Sequence, residues 1–258
     1  MATLQDDAVR FVQIEVSTIC NYQCFYCAGR DMPQRHMPME VFRRILHKLP
    51  QRPIRVSLQG EGEPMAHPGF WQMADEITAQ GKVPYTITNG SLIRDPARVV
   101  RTFPEIGISI DTLDPEEAQR IGRLKLARML RKFDALLQHM PPERVIVHTV
   151  RYGQPLDDLL LFLKERGIRH HVVQPLQTKA DYSARYPQMV AAQEHRYHFN
   201  CSYIRSGFMR FYTLDGVEMP CCFIKDASKF VSTSHIAAEL AAQRVPAACT
   251  GCREIELH

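Results

Sequence analysis

Residues 11–27 read FVQIEVSTICNYQCFYC: a short β-branched run over 11–16 that passes directly into Cys20, Cys24 and Cys27. The run has the composition of a strand, and the three cysteines follow it on a loop. Three thiolates within eight residues can converge on one soft metal centre. A structural zinc site takes four ligands and closes its shell. Three leave a four-iron cluster with one iron free of protein, unless a distant side chain such as His36 supplies a fourth ligand to zinc.

Working outward from this loop, strand-like runs recur at 54–58, 85–88, 107–110, 145–150 and 169–173. Amphipathic helical stretches lie between them at 39–49, 69–80, 96–103, 125–139 and 156–166. Asp95-Pro96 supplies an N-cap with proline at the first helical position. Gly81 and Gly167 stand where helices end in a left-handed residue. Six such repeats predict an α/β fold with a parallel sheet and right-handed crossovers, a partial (β/α)6 TIM-like barrel over residues 1–176. From 177 to 258 the pattern breaks. A polar connector over 177–200 leads to a hairpin of 208–212 and 217–219, turning at Asp215-Gly216, and then to a helix at 235–243. A piece so small is expected to have little core of its own and to need a metal staple.

The chain has 258 residues, enough for one medium α/β domain with an appendage. Its formal charge of +4 comes from 32 basic and 28 acidic residues dispersed along the chain, which argues against a nucleic-acid partner. The densest basic stretch, Arg120 to Lys132, reads as the solvated face of a helix. No apolar run is long enough to span a bilayer. MATLQDDAVR has acids where a signal peptide has a basic region, so the expected location is cytoplasmic. Eight cysteines in a reducing compartment point to metal ligands or catalytic groups rather than disulfides. They form two sets with nothing between: Cys20, Cys24 and Cys27, then Cys201, Cys221, Cys222, Cys249 and Cys252.

The Cys-x3-Cys-x2-Cys run, with the aromatic Tyr26 before its last cysteine, resembles the signature of the radical S-adenosylmethionine (radical SAM) superfamily. Gly60-Glu61-Gly62-Glu63-Pro64 after the second strand is similar to that family's glycine–glutamate–proline loop. Thr88-Asn89-Gly90 and Ser109-Ile110-Asp111 are similar to its polar strand ends, and Asp111-Thr112-Leu113-Asp114-Pro115-Glu116 to its link into the next helix. The resemblance covers residues 10–176. It implies a [4Fe–4S] cluster that chelates SAM, reductive cleavage of SAM to a 5′-deoxyadenosyl radical, and hydrogen abstraction from substrate. It also implies SAM contacts from Tyr26, Gly60, Gly62, Glu63, Pro64, Asn89, Ser109, Arg151 and Gln174. The glycines would let the backbone approach the ligand, and Glu63 would face its ammonium.

Asp215-Gly216-Val217-Glu218-Met219-Pro220-Cys221, followed by Cys249-Thr250-Gly251-Cys252, resembles the small C-terminal cysteine-rich twitch/SPASM-like extension of that family. On that resemblance Cys201, Cys221, Cys249 and Cys252 hold one auxiliary [4Fe–4S] cluster, although the spacings also suit a zinc ribbon. Cys222 is left over, as a buried small side chain, a substitute ligand or a hydrogen-atom donor in catalysis. Family members with so small an extension include aminocyclitol dehydrogenases and aminoglycoside epimerases, while larger ones modify peptides. With the cysteine loop so near the start, no peptide-recognition domain is expected before it. The expected substrate is therefore a small polar molecule, with a peptide as the alternative. An external one-electron reductant of flavodoxin or ferredoxin type is the expected partner. From another class stands a non-catalytic iron–sulfur or zinc module. Location alone suggests Gln174, Gln177, Lys179 and Tyr182 as substrate contacts; His170 and His171 belong to the sixth strand, where at most one faces inward.

Overall fold

The computed structural model describes residues 7–189 and 196–257; part of the 177–200 connector and of the N-terminal stretch lies outside them. Six βα repeats build the body: β1 (Phe11–Ile14), α1 (Met39–Lys48), β2 (Arg55–Leu58), α2 (Phe70–Ala79), β3 (Val83–Thr88), α3 (Pro96–Thr102), β4 (Ile106–Ser109), α4 (Pro115–Arg120), α5 (Leu126–Leu137), β5 (Val145–Arg151), α6 (Asp157–Glu165) and β6 (His170–Pro175). Neighbours from β1 to β6 pair in parallel, in chain order. The helix α4 was not foreseen from periodicity; Asp114 caps it, accepting from the amides of Glu116 and Glu117. Asp95 caps α3 as expected, accepting from Arg98 N at 2.9 Å.

Alternation along the strands decides what faces where. On β1, Val12 and Ile14 join Val56 and Leu58 of β2 in the main core under the helices, together with Phe42, Phe70, Phe103 and Phe133. The intervening residues Phe11, Gln13, Tyr85, Ser109 and His148 point into the barrel. Each fully buried aliphatic or aromatic side chain in the outer layer contributes about 1.5–3 kcal/mol.

The segment after the connector does not stand apart. A short helix α7 (Ser202–Ser206) leads into β7 (Met209–Tyr212), which pairs in parallel with β1; β8 (Glu218–Met219) pairs antiparallel with β7, and α8 (Thr233–Ala241) follows. The sheet therefore has eight strands, in the order β6-β5-β4-β3-β2-β1-β7-β8. The hairpin read from the sequence is there and extends the barrel sheet. One expectation is corrected: the segment has a core of its own, in which Met209, Phe211, Met219, Ile224, Ile236, Leu240 and Ile255 are buried. Among the described residues no helix is long and apolar enough to cross a membrane.

Candidate active site

The C-terminal ends of the strands open onto a cavity of about 500 Å3, within the range of small-molecule sites and at the edge where barrel enzymes place their chemistry. Cys20, Cys24 and Cys27 line it, all free thiols. Burial pushes the Cys20 thiol up to about 11 and holds the Cys27 thiol well above its ordinary value. Thiols so placed gain most from a metal centre that takes them as thiolates.

The loop is held by its neighbours. Gln23 and Phe25 donate backbone bonds to the carbonyls of Gly122 and Ile121, at 2.9 and 3.2 Å. Gly122 has φ 89°, and a Cβ there would stand 2.1 Å from the Gln23 carbonyl oxygen, so glycine alone fits. Gly62 donates to the Ser17 carbonyl and Glu63 to that of Ile19, at 3.0 and 2.9 Å; a Cβ on Gly62 would meet both carbonyls within 2.6 Å. A Cβ on Gly60 would strike Glu15 at 2.4 Å. These glycines thus make room for the chain's own β1 and its extension, not only for a ligand.

Glu63 is buried and held by this chain: Thr88 Oγ1, Asn89 N and Met65 N donate to it at 2.6, 2.8 and 3.1 Å. Burial raises its carboxyl, and these donors pull it back. It fixes the loop against β3. Pro64 opens the short turn behind it and is absent from the cavity lining. Asn89 reaches Asn21 Oδ1 at 3.0 Å and points toward Cys20 Sγ at 3.8 Å. Tyr26 stacks on Tyr152 and donates to Asp111 Oδ2.

Two cations on the wall escaped the sequence reading. Arg123, in the stretch read as a solvated helix face, turns inward with its side chain 11% exposed: its Nε lies 2.8 Å from Asp111 Oδ2, and its Nη1 donates to the Ser109 carbonyl at 2.7 Å. The glycine before it was the available signal. Lys225 reaches across from the C-terminal segment to Glu61 Oε1 at 2.6 Å, where Tyr182 OH also donates at 2.9 Å. Burial alone would raise the Glu61 carboxyl; Lys225, Tyr182 and the Cys27 thiol hold it below its ordinary value.

Gln174, Gln177 and Tyr182 line the cavity, as expected. Arg151 is exposed at the end of β5, outside the cavity lining. Lys179 also departs from expectation, turning to a second, smaller cavity lined by Cys201, Cys221, Cys249 and Cys252 with Ile204, Ile224 and Ile236. Cys222 faces the other way, into the large cavity. His36 hydrogen-bonds Ser17 Oγ at 3.0 Å and packs on His67, outside the cavity lining. His170 is exposed, and His171 meets Thr149 Oγ1 at 2.8 Å. Among the described residues no three His, Cys, Asp or Glu side chains close on a single metal ion; each cysteine set stands around a cavity instead.

The fold is an open parallel barrel that presents three thiols, on the loop after its first strand, to one cavity. Residues 14–165 match the model of the Radical SAM superfamily, and the chain belongs to that superfamily. It is a radical SAM enzyme, with the [4Fe–4S] cluster and SAM that the class uses; a non-catalytic metal module is thereby set aside. An S-adenosylmethionine-dependent nucleotide dehydratase of Selenomonas ruminantium is 25% identical over 54% of this chain and 53% of its own. A GTP 3′,8-cyclase of Rhizobium meliloti (strain 1021) is 30% identical over 50% of this chain and 41% of its own. The chain spans about half the length of the curated relatives it matches. Among solved structures, SuiB of Streptococcus suis bound to S-adenosylmethionine superposes with a TM-score of 0.67 at 12% identity, covering 95% of this chain and 68% of that one. BtrN in complex with AdoMet and 2-DOIA gives 0.52 at 13%, covering 93% and 83%. At these identities the likeness is one of fold.

Proposed function

We propose that this enzyme abstracts hydrogen from a small polar molecule, an amino sugar, aminocyclitol or nucleoside, and completes a dehydrogenation or epimerisation with the help of an auxiliary [4Fe–4S] cluster. Cys20, Cys24 and Cys27 would hold the SAM-binding cluster, and Cys201, Cys221, Cys249 and Cys252 the auxiliary one. The donor sets fit: three free thiols on the large cavity leave one corner for a ligand, and four on the small cavity leave none. The two-part division at residue 176 goes with this assignment. When bound, these groups supply the hydrogen-abstracting radical and accept or deliver the further electron.

The observation that carries the reading is the alternation of Cys221 and Cys222. Consecutive thiols open onto the auxiliary site and onto the large cavity. The rest of the chemistry belongs to this chain's residues. Arg123 and Asp111 brace Tyr26, while Glu63 braces Asn89. Cys222 stands beside the Lys225–Glu61 pair with a hydrogen to give. In an epimerisation its S–H bond would break to make the new C–H bond, and the sulfur radical would be reset by one proton and one electron. That electron, like the one that starts the cycle, would come from an external flavodoxin- or ferredoxin-type reductant. In a dehydrogenation the substrate radical would instead lose a proton and an electron, and Cys222 would not be needed as a donor.

Anaerobically reconstituted protein should bind about eight irons and release 5′-deoxyadenosine under reductant. Cys24→Ala should abolish SAM cleavage; Cys252→Ala should keep some cleavage but form no product. Zinc retention without cleavage would sink the assignment. With Cys222→Ala, 5′-deoxyadenosine without product supports hydrogen return, and unchanged product removes the thiol. Peptide modification is the second reading, favoured by the open edge of β6, where Val172 and Val173 are 38% and 40% exposed.

A further inference from the structure

The large cavity has two chemically different walls. One carries the charged groups Arg123, Asp111, Glu61, Glu63 and Lys225. The other is the inner face of the strands, where the polar lining is neutral. Gln13 of β1 is 6% exposed. Gln59, just past β2, donates from Nε2 to Gln13 Oε1 at 3.0 Å. The other end of that carboxamide, Gln59 Oε1, is buried with no hydrogen-bond partner. Gln59 lines the cavity, and its unpartnered acceptor, closed to solvent as the side chain stands, takes a donor only from a group seated against it.

His148 of β5 lines the same cavity, its ring set by Tyr85, whose hydroxyl lies 3.3 Å from Nε2. Position 107 on β4 is glycine at this crossing: a Cβ there would stand 2.9 Å from the Tyr85 hydroxyl and 3.0 Å from the His148 ring. Burial lowers the imidazole to about 4, so the ring is neutral near pH 7 and offers one donor and one acceptor. The cations that line the cavity are already engaged, Arg123 with Asp111 at 2.8 Å and Lys225 with Glu61 at 2.6 Å. A phosphoryl group would have to break one of these buried pairs and strand a carboxylate.

We propose that Gln13, Gln59 and His148 form the substrate subsite, and that it takes the hydroxyl or amine groups of an unphosphorylated polyol or amino polyol. This deepens the small-molecule reading above and rests on it. The relatives named for nucleotide chemistry would then differ from this chain in what their cavities accept.

The test uses reconstituted holoenzyme with SAM and reductant, and reads 5′-deoxyadenosine release above the substrate-free rate. The probes are glucosamine and scyllo-inosamine, against glucosamine 6-phosphate and GTP, with a cysteine-containing peptide as a further arm. The amino polyols should stimulate release and their phosphorylated counterparts should not. Gln59→Leu should raise the half-saturating concentration about tenfold or more, since a pocket built to accept a donor hydrogen bond loses that selectivity with the acceptor. Gln59→Glu, which keeps an acceptor, should retain stimulation by the amine probes. Gln13→Leu gives a second variant should the first lose its iron. Stimulation by the phosphorylated compounds alone overturns the subsite and leaves the small-molecule reading standing. Stimulation by the peptide alone overturns both. An unchanged half-saturating concentration in both leucine variants also overturns the subsite.

Discussion

Lys179 shows how much a single side chain can carry here. It is 3% exposed, donates to the carbonyls of Phe223 and Ala248 at 2.7 Å each, and shares its cavity with Cys249 and Cys252. A fixed ammonium beside a thiolate-held cluster favours its reduced, more negative state. Lys179→Met should therefore lower the midpoint potential of the proposed auxiliary cluster, by an amount on the order of 59 mV, a tenfold change for one electron. An EPR-monitored redox titration checks this, and an unmoved potential counts against it. His148 makes a different prediction. Its folded-state value near 4 lies below the ordinary 6.5, so acidification protonates the unfolded chain first. Its contribution to stability is whole above about pH 6.5 and is lost as pH falls from there towards 4. His148→Asn should flatten that part of a denaturation-versus-pH curve. The cysteine ligands were legible in the sequence because a metal loop is local, a matter of spacing within eight residues. Arg123, Lys225 and the Gln13–Gln59 pair were not. Their partners lie 12 to 164 residues away along the chain.

Among the elements, the short helix α4 and the turn after it matter more than their length suggests. Asp114 starts the helix, and it ends at Gly122, whose carbonyl accepts from Gln23 in the cysteine loop. Gly122→Ala puts a side chain into the Gln23 carbonyl and costs roughly 1–3 kcal/mol in backbone strain as well. The variant should lose iron from the first site while the proposed auxiliary site keeps its own, measured by iron content and by the two EPR signals. Equal loss from both would mean a general folding defect. The six strands and five of the helices between them, all but α4, were readable from alternation and capping because those signals are local. The eighth-strand sheet was not, since nothing in the spacing of 209–212 says that it docks beside residues 11–14.

Over the whole molecule, the C-terminal segment and the barrel are tied through buried charge. Lys225 and Glu61 form that tie, with Tyr182 from the connector joining it. Lys225→Met strands Glu61 and should destabilise the chain by about 3–5 kcal/mol, while adding Glu61→Gln should recover part of the loss. Chemical denaturation of the two variants measures both. Arg35 and Asp215 form a second, exposed tie, which contributes little by comparison.

The parallel ladder between β1 and β7 pairs Phe11 with Met209, Val12 with Arg210, Gln13 with Phe211 and Ile14 with Tyr212. Because side chains alternate with a period of two, a slip of one residue there would turn Phe211 from one layer to the other. It would carry the chain leading to Cys221 and Cys222 along by about 3.3 Å. Anyone grafting this C-terminal module onto another barrel would thus have to transplant the lock with the key: the four rungs on β1 travel with the module or the two thiols arrive out of phase.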